Sequence, residues 1–304
     1  MVKSKGIVLT SVFALILFAG FTQNSIVVFQ SDFGLKDGAV AAMKGVAMSV
    51  SPQLKLFDIT HEIPAYNIWE AAYRLQQTAS YWPRGSVFVS VVDPGVGSDR
   101  KSLVVKSRSE HYFVTPDNGT ITLVAKSLGI EEIRIINEDN NRLPGSGTSY
   151  TFHGRDVFAY TAARLASKII SFAQVGPLLK DKPLLFDYQE SLLENNTITA
   201  NIPILDPPYG NVWTNIPDHL IKKINIRWGD SLHIEIFNKT IQVYAGIVQF
   251  VETFSVVPDQ QPLAYQNSLM NLSLAIIRGN FAAKYNIQSG LEDHHQKAKT
   301  MSMK

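Results

Sequence analysis

Three side chains in this sequence have the types and surroundings needed to activate a water molecule: Asp93, Arg100 and His153. Residues 86–100, SVFVSVVDPGVGSDR, are an apolar run and a Pro-Gly-x-Gly turn, which predicts Asp93 at the carboxyl end of a strand and Arg100 just beyond a glycine loop. His153 lies in TFHGRD, directly ahead of the helical pattern VFAYTAARLA. Ligands of open α/β sheets bind beyond strand carboxyl ends and at helix N-termini. Separate loops would therefore bring together an acid, a cation and a base that could orient and activate water.

Each of the three residues also has a purely structural interpretation. Asp93 could cap a turn, Arg100 could form a surface ion pair, and His153 could stand in for a helix N-cap residue. Any one of these interpretations is plausible alone. The three residues together, in this order and in these surroundings, favour a reactive centre.

A further carboxylate, Asp32, follows the apolar run SIVVFQ in the sequence SDFG. A carboxylate at the end of a first strand can accept hydrogen bonds from both hydroxyl groups of a ribose. The alternative is a helix N-cap or an Asx turn before Gly34, although Asp37 is the better candidate for the cap of the following helix. Asp32 is thus a candidate for nucleoside binding.

Strand and helix patterns alternate in the N-terminal part of the chain. The sequence predicts helices over residues 37–49 and 67–82, between strands such as SIVVFQ, LKLFDIT and SVFVSVVD. This alternation predicts an α/β domain with a mostly parallel sheet over residues 25–190.

The pattern changes near residue 190, where short, β-rich runs separated by turn residues begin. They predict a smaller C-terminal antiparallel β domain, barrel-like, over residues 191–290. The polar segment 291–304 is predicted to be a disordered tail, in which His294 and His295 are interpreted as solvated rather than as metal ligands.

The N-terminus has the pattern of an export signal. Lys3 and Lys5 precede about fifteen mostly apolar residues, which predicts a secretory signal peptide or a membrane anchor over residues 1–24. We therefore expect an exported protein, periplasmic or secreted, or one anchored to a membrane. A buried first helix in a cytoplasmic protein is the alternative if this leader is not functional.

Charge and composition exclude several classes of function. The same two lysines account for the whole net charge of +2, so the remaining chain has no basic excess that would attract nucleic acid. The chain contains no cysteine, which excludes disulfides, thiolate metal sites and cysteine nucleophiles.

Together with the C-terminal segments below, VVDPGVGSDR and TFHGRD resemble the S-adenosyl-L-methionine hydroxide adenosyltransferase family, which also contains fluorinating and chlorinating adenosyl enzymes. The resemblance extends from about Ile26 to about Ala283. It implies that S-adenosylmethionine is the small-molecule substrate and that neither a cofactor nor a metal takes part. It also implies a homotrimer with its sites at subunit interfaces.

Two C-terminal segments carry the substrate-binding residues that the resemblance implies. The segment DPPYGNVWTNI, residues 206–216, is similar to the family's second-domain signature, which implies that Asp206 and Asn211 contact the substrate. The charge of Asp206 suits the methionine amine, and the donor and acceptor of Asn211 suit an amide or an adenine edge. The alternative is a hairpin turn at YGN.

The segment RGNFAA, residues 278–283, resembles the adenine-binding stretch, with Asn280 and Ala282 as the matching positions. An ordinary turn after the last strand is the alternative. Just upstream, Ser268 matches the segment that holds the substrate's carboxylate, although NSLMN lacks the more usual glycines.

The function implied by the resemblance is adenosine-forming hydrolysis of S-adenosyl-L-methionine, by in-line attack of an activated water on C5′. Two alternatives stay open. One is a halide-dependent S-adenosylmethionine adenosyltransferase, although the halide-using relatives lack the residues that match Arg100 and His153. The other is a non-catalytic nucleoside-binding protein, for which the export signal is the main support.

Overall fold

The computed structural model describes residues 24–290 and a strand at residues 300–303. The predicted leader therefore lies, except for Asn24, outside the described residues. None of the helices in this described part is both long enough and apolar enough to cross a membrane.

Six of the described strands form an N-terminal sheet in the order β2-β1-β3-β5-β4-β6. The first four in this order run parallel, whereas β4 and β6 are antiparallel to their neighbours. The mostly parallel sheet predicted from the sequence is therefore confirmed. The strands are β1 (Ile26–Ser31), β2 (Lys55–Thr60), β3 (Val87–Val91), β4 (Ser102–Ser107), β5 (Tyr112–Pro116) and β6 (Ile130–Ile135).

Helices cover both faces of this sheet, because successive strand residues point to opposite sides. Val27 and Phe29 belong to a core shared with α1 and α5, whereas Val28 belongs to a core shared with α2 and α3. A π-helical turn, Gly154–Ala159, leads directly into α5. The helices are α1 (Ala39–Val50), α2 (Ile68–Ala79), α3 (Thr122–Leu128), α4 (Glu138–Asn141) and α5 (Tyr160–Ala166).

Both helices predicted at the start of the chain form, with different ends. The N-cap of α1 is Gly38, so the expectation that Asp37 is the cap is wrong by one residue. The Asp37 carboxylate still accepts the N–H of Ala39, the first residue of the helix, at 2.9 Å. Asn67 is the N-cap of α2, since its side chain accepts the N–H of Glu70 at 3.0 Å.

Nine of the described strands form a second, curled sheet in the order β7-β8-β15-β11-β12-β13-β14-β10-β9, wrapped around one apolar core. All neighbours are antiparallel except β12 and β13, which confirms the predicted antiparallel, barrel-like arrangement. Two short helices, α6 (Asp218–Lys223) and α7 (Phe281–Lys284), lie in this part. The strands are β7 (Leu192–Glu194), β8 (Thr197–Asn201), β9 (Ile204–Asp206), β10 (Asn211–Pro217), β11 (Ser231–Asn238), β12 (Ile241–Phe250), β13 (Pro262–Gln266), β14 (Asn271–Ile276) and β15 (Thr300–Met303).

The last strand departs from the disordered tail predicted for residues 291–304. Thr300–Met303 pairs with both β8 and β11, which would otherwise present unpaired backbone groups to each other. The prediction is therefore wrong for these four residues. Residues 291–299, including His294 and His295, lie outside the described residues.

Candidate active site

Asp93 and Arg100 form a buried, two-pronged ion pair in the loop after β3. The Arg100 Nε donates to Asp93 Oδ1 at 2.7 Å, and its Nη2 donates to Oδ2. The two side chains are only 10% and 5% exposed, so the alternative of a surface ion pair for Arg100 is wrong. Ser102 accepts from Arg100 Nη1 at 3.0 Å, which fixes the third corner of the guanidinium.

His153 lies beside this ion pair, at the start of the π-helical turn. Its Nδ1 is 3.2 Å from Arg100 Nη2, and the ring is 6% exposed. His153 does occupy the N-cap position of this turn, but its side chain makes no capping hydrogen bond and instead contacts Arg100. A side chain at Gly154 would come within 3.2 Å of Val91 and 3.3 Å of Met43, so the glycine lets this turn lie close against β3 and α1. The structure thus brings together the three residues singled out for water activation.

Sequence reasoning missed a second guanidinium at the same imidazole. The Nη2 of Arg142, at the C-cap of α4, is 3.1 Å from His153 Nε2. Burial lowers the pKa of His153 below its usual value, and the charges of Arg100 and Arg142 lower it further, against an opposing effect of Glu138 and Asp93. Arg142 precedes His153 by eleven residues and belongs to no recognised motif, so the sequence carries no signal for this contact.

A cavity opens beside these groups. It is lined by eleven residues from 32 to 154, including Asp32, Tyr66, Asp93 and His153. Its volume of about 260 Å³ is just below the ~300–1,000 Å³ of ordinary ligand pockets. The described residues within one chain therefore form a small cavity, lined only by residues of the N-terminal domain.

Asp32 lies at this cavity and does not cap α1, so its helix-cap interpretation is wrong. Its Oδ2 accepts the N–H of Tyr66 at 2.9 Å. A buried chain of side chains supports the loop: Ser31 Oγ is 2.7 Å from His61 Nδ1, and His61 Nε2 is 3.1 Å from Asp58 Oδ1. Sequence reasoning missed Ser31 and His61, which form this chain of contacts next to Asp32.

The C-terminal candidates form a second cluster, at the turn between β9 and β10. Asn211 Nδ2 donates to Asp206 Oδ2 at 3.1 Å, and the N–H of Ala282 donates to the carbonyl of Gly210 at 3.0 Å. Asn280 caps α7 by accepting the N–H of Ala283 at 2.7 Å. The structure thus brings four of the five C-terminal candidates together: Asp206, Asn211, Asn280 and Ala282.

Two other residues bear on this cluster, Tyr265 and Ser268. Burial raises the pKa of Tyr265 to about 12, and this phenol, beside Asp206 and Asn211, was not singled out in the sequence. Ser268 lies exposed in the turn between β13 and β14. No hydrogen bond among the described residues joins Ser268 to Asp206 or Asn211.

The cavity beside His153 and the C-terminal cluster are not connected by hydrogen bonds among the described residues. Every residue that lines the cavity beside His153 comes from the N-terminal domain, and no hydrogen bond among the described residues connects it with Asp206, Asn211 or Asn280. Within residues 24–290, no group of three or more His, Asp or Glu side chains is arranged to hold a metal ion.

The chain thus combines an α/β domain that carries a buried Asp-Arg-His group with a curled β domain that carries a second polar cluster. The S-adenosylmethionine hydroxide adenosyltransferase N-terminal domain model matches residues 27–176, and the corresponding C-terminal domain model matches residues 200–292. The chain therefore belongs to the S-adenosylmethionine hydroxide adenosyltransferase family.

Individual relatives agree with this assignment. The chain is 34% identical over 218 residues to a protein named (R)-S-adenosyl-L-methionine hydrolase from Methanocaldococcus jannaschii, covering 70% of this chain and 74% of the relative. It is 24% identical over 291 residues to a fluorinase from Actinopolyspora mzabensis, covering 88% and 95%. The crystal structure of an uncharacterized conserved protein from Thermotoga maritima is similar with a TM-score of 0.82 and 29% identity, covering 91% of this chain and 99% of that one.

Proposed function

We propose that this protein hydrolyses S-adenosyl-L-methionine to adenosine and L-methionine, by attack of an activated water on C5′. The observation that carries the proposal is the contact of His153 with the buried Asp93–Arg100 pair, beside a cavity that also contains Asp32. Membership of the family and the similarity to a named hydrolase support the same substrate.

The rate of this reaction depends mainly on the placement of the nucleophile, because the positively charged sulfonium is already a good leaving group. Water oxygen forms the new bond to C5′ as the C5′–S bond breaks, and the bonding electrons remain on the sulfur of methionine. Since the leaving group is activated in advance, the reaction needs neither a cofactor nor a metal. Positioning and desolvation of one water molecule supply most of the rate.

The residues at the cavity have separate roles in this proposal. Asp32 binds the ribose hydroxyl groups and so fixes C5′ relative to the water. Arg100 contacts His153 without lining the cavity itself; its positive charge stabilises the negative charge that develops on the attacking oxygen, and Asp93 holds its guanidinium in place. His153, with its lowered pKa, is neutral near pH 7; in this proposal its lone pair gives up the hydrogen bond from an arginine, takes the proton that the water loses and then releases it to solvent.

Water rather than halide is the proposed nucleophile. The halide-using members of the family lack the residues that match Arg100 and His153, whereas in this chain the two side chains are in contact and His153 lines the cavity as a candidate base. The higher identity to the hydrolase, 34% against 24% for the fluorinase, supports water as well. The alternative, a halide-dependent transferase, is supported by the DPPYGNVWTN segment. The identity of the product, adenosine or a 5′-halogenated nucleoside, distinguishes the two functions.

We also propose a homotrimer whose sites lie at subunit interfaces. The cavity beside His153 is small and lined only by residues of the N-terminal domain, and the cluster of Asp206, Asn211 and Asn280 is not joined to it by hydrogen bonds within the described residues. A second subunit could supply the missing wall, with its C-terminal cluster, including Ser268, facing adenine and the methionine end. Sedimentation of the purified protein at several concentrations tests this arrangement.

Export or membrane anchoring remains part of the proposal, on the strength of Lys3, Lys5 and the apolar residues after them. The mature N-terminus, read by mass spectrometry from cell fractions, tests it. An intact leader on a cytoplasmic protein would contradict export.

The decisive experiment incubates the purified protein with S-adenosylmethionine in oxygen-18 water, with and without chloride or fluoride. Mass spectrometry should find methionine and adenosine with the label in the 5′-hydroxyl, at a rate independent of halide. A His153→Ala variant should turn over about 10²–10⁴ times more slowly, the usual contribution of a general base, and still bind adenosine. A 5′-halogenated nucleoside, or adenosine without the label, would overturn the hydrolase proposal, and binding without turnover would indicate a nucleoside-binding protein.

A further inference from the structure

The imidazole of His153 lies between two guanidinium groups. Arg100 Nη2 is 3.2 Å from its Nδ1, and Arg142 Nη2 is 3.1 Å from its Nε2. The two arginines come from different elements, the loop after β3 and the end of α4, so the ring is held from both sides.

The hydrogen-bonding capacities of these groups limit the state of the ring. A guanidinium carries only N–H donors, and a neutral imidazole has a single lone pair. At most one of the two contacts is therefore a hydrogen bond, and that one exists only while the ring is neutral. A protonated His153 would direct N–H groups at two cations and would lose the hydrogen bond as well.

Arg142 is fixed in a way that leaves its guanidinium available to His153. Its Nε donates to Glu138 Oε2 at 3.1 Å, and its Nη2, the nitrogen that faces His153 Nε2, also donates to that carboxylate oxygen, which leaves the second Nη2 hydrogen for the imidazole. Its guanidinium carbon lies 4.7 Å from the centre of the Tyr150 ring. The side chain is 10% exposed, and its buried Nη1 has no hydrogen-bond partner among the described residues.

We propose that Arg142 is a positioning residue of this active site, which together with Arg100 clamps His153 and keeps its imidazole in the neutral, proton-accepting form. The clamp would let the histidine remain a base at a pH where an isolated histidine is protonated. The kinetic consequence rests on the hydrolase function proposed above, whereas the clamp itself can be tested without turnover.

The charged groups around the ring set the sign of every test. Asp93 and Arg100 face it from the loop after β3, and Glu138 and Arg142 face it from α4, while Tyr150 contributes an aromatic ring at 6.4 Å. Removing a guanidinium should therefore make protonation of His153 easier, and removing a carboxylate should make it harder.

The test follows the protonation of His153 in the full chain by NMR, with nitrogen-15-labelled histidine and the signal assigned by its loss in a His153→Gln variant. In Arg142→Gln, the titration midpoint should rise by about one pH unit or more, the lower end of what a charge within ~4–6 Å produces. Arg142→Lys should raise it less, because the positive charge stays. Glu138→Gln should move it in the opposite direction, to lower pH, which loosening of the structure would not produce.

Arg164 offers a matched control. It donates to Asn141 Oδ1 at 2.8 Å and also to the carbonyl of Asn140, so it braces α4 as Arg142 does, but no hydrogen bond joins it to His153. Arg164→Gln should leave the midpoint of His153 unchanged. An equal shift in this control, or an unchanged midpoint in both Arg142→Gln and Glu138→Gln, would overturn the clamp.

The pH dependence of turnover gives a second, separate measurement. Activity that requires neutral His153 falls as the pH drops through its pKa, so Arg142→Gln should lose activity at pH 6 relative to pH 8 while keeping most of its maximal rate. If no variant or wild type turns over S-adenosylmethionine, the proposed function fails, but the NMR shifts still decide the clamp. If Arg142→Gln does not fold, Glu138→Gln and Arg142→Lys carry the test.

Discussion

Replacing Gly210 by alanine should damage the C-terminal half of the site through one identifiable clash. Gly210 has φ +65°, and a Cβ added there would lie 1.9 Å from Asn280 Oδ1. Asn280 cannot stay in place, and its carboxamide is the N-cap of α7. The substitution should therefore displace the cap and disturb the turn that carries Asn211.

The size of the effect follows from two contributions. A left-handed backbone conformation costs about 1–2 kcal/mol for a residue with a Cβ. Loss of an N-cap hydrogen bond costs about 1 kcal/mol more. We expect Gly210→Ala to lower the free energy of unfolding by about 2–3 kcal/mol, and to weaken adenosine binding because the Asp206–Asn211 contact lies on the same turn.

Gly229 provides the control, because it has φ +97° and nothing within 4 Å of an added Cβ. Gly229→Ala should show the backbone strain alone. Urea unfolding followed by tryptophan fluorescence measures both variants, together with Asn280→Ala in the wild-type and Gly210→Ala backgrounds. Asn280→Ala should cost about 1 kcal/mol in the wild type and close to nothing beside Gly210→Ala. Equal losses at the two glycines, or an unchanged effect of Asn280→Ala in both backgrounds, would refute the reasoning.

Three further predictions follow from the N-terminal site. Asp93→Asn leaves the buried Arg100 without its counter-charge, so the free energy of unfolding should fall by about 3–5 kcal/mol in urea titrations, and unchanged stability would contradict a buried pair. Asp32→Ala should weaken adenosine binding by about 1.5–3 kcal/mol in calorimetry, and equal affinity would remove the ribose assignment. Burial lowers the pKa of His61, so the stability contributed by its neutral ring is present above about pH 6.5 and is lost as the pH falls through the folded-state pKa. The melting temperature should therefore drop between pH 7 and pH 5, and His61→Gln should reduce that drop; an identical pH dependence in the variant would show that other groups cause it.

The sequence predicts the architecture because the two-residue period of strands and the ~3.6-residue period of helices can both be recognised in it. Val27 and Phe29 alternate with Val28 across a sheet that is buried on both sides, and the β-rich runs after residue 196 lack a helical period. The strand at Thr300–Met303 was not predicted, because its polar–apolar alternation covers only four residues within a polar segment and its pairing depends on the gap between β8 and β11. Long-range pairing of this kind has no local signal.

Some residues of the candidate site could likewise be predicted from the sequence, and others could not. Asp93, Arg100 and His153 could be found because each lies next to a glycine turn or at the start of a helix, where local patterns are distinctive. Arg142 and Ser31 could not be found, because their importance comes from one contact each, with residues that the fold brings close. Contacts that only tertiary structure creates are the part of a site that a single sequence conceals.

The π-helical turn Gly154–Ala159 limits how the chain length can vary at this point. A π-helical turn contains one residue more than an α-helical turn, and each residue of an α-helix turns the chain by about 100°. Deleting one residue here would rotate His153 by roughly that angle relative to α5, away from both arginines, while the helix itself could remain packed. With the extra residue, α5 keeps the register in which its apolar residues pack in the core. His153 at the same time points in a direction that a regular helix would not allow. Insertions and deletions should therefore be much less tolerated between His153 and Tyr160 than substitutions.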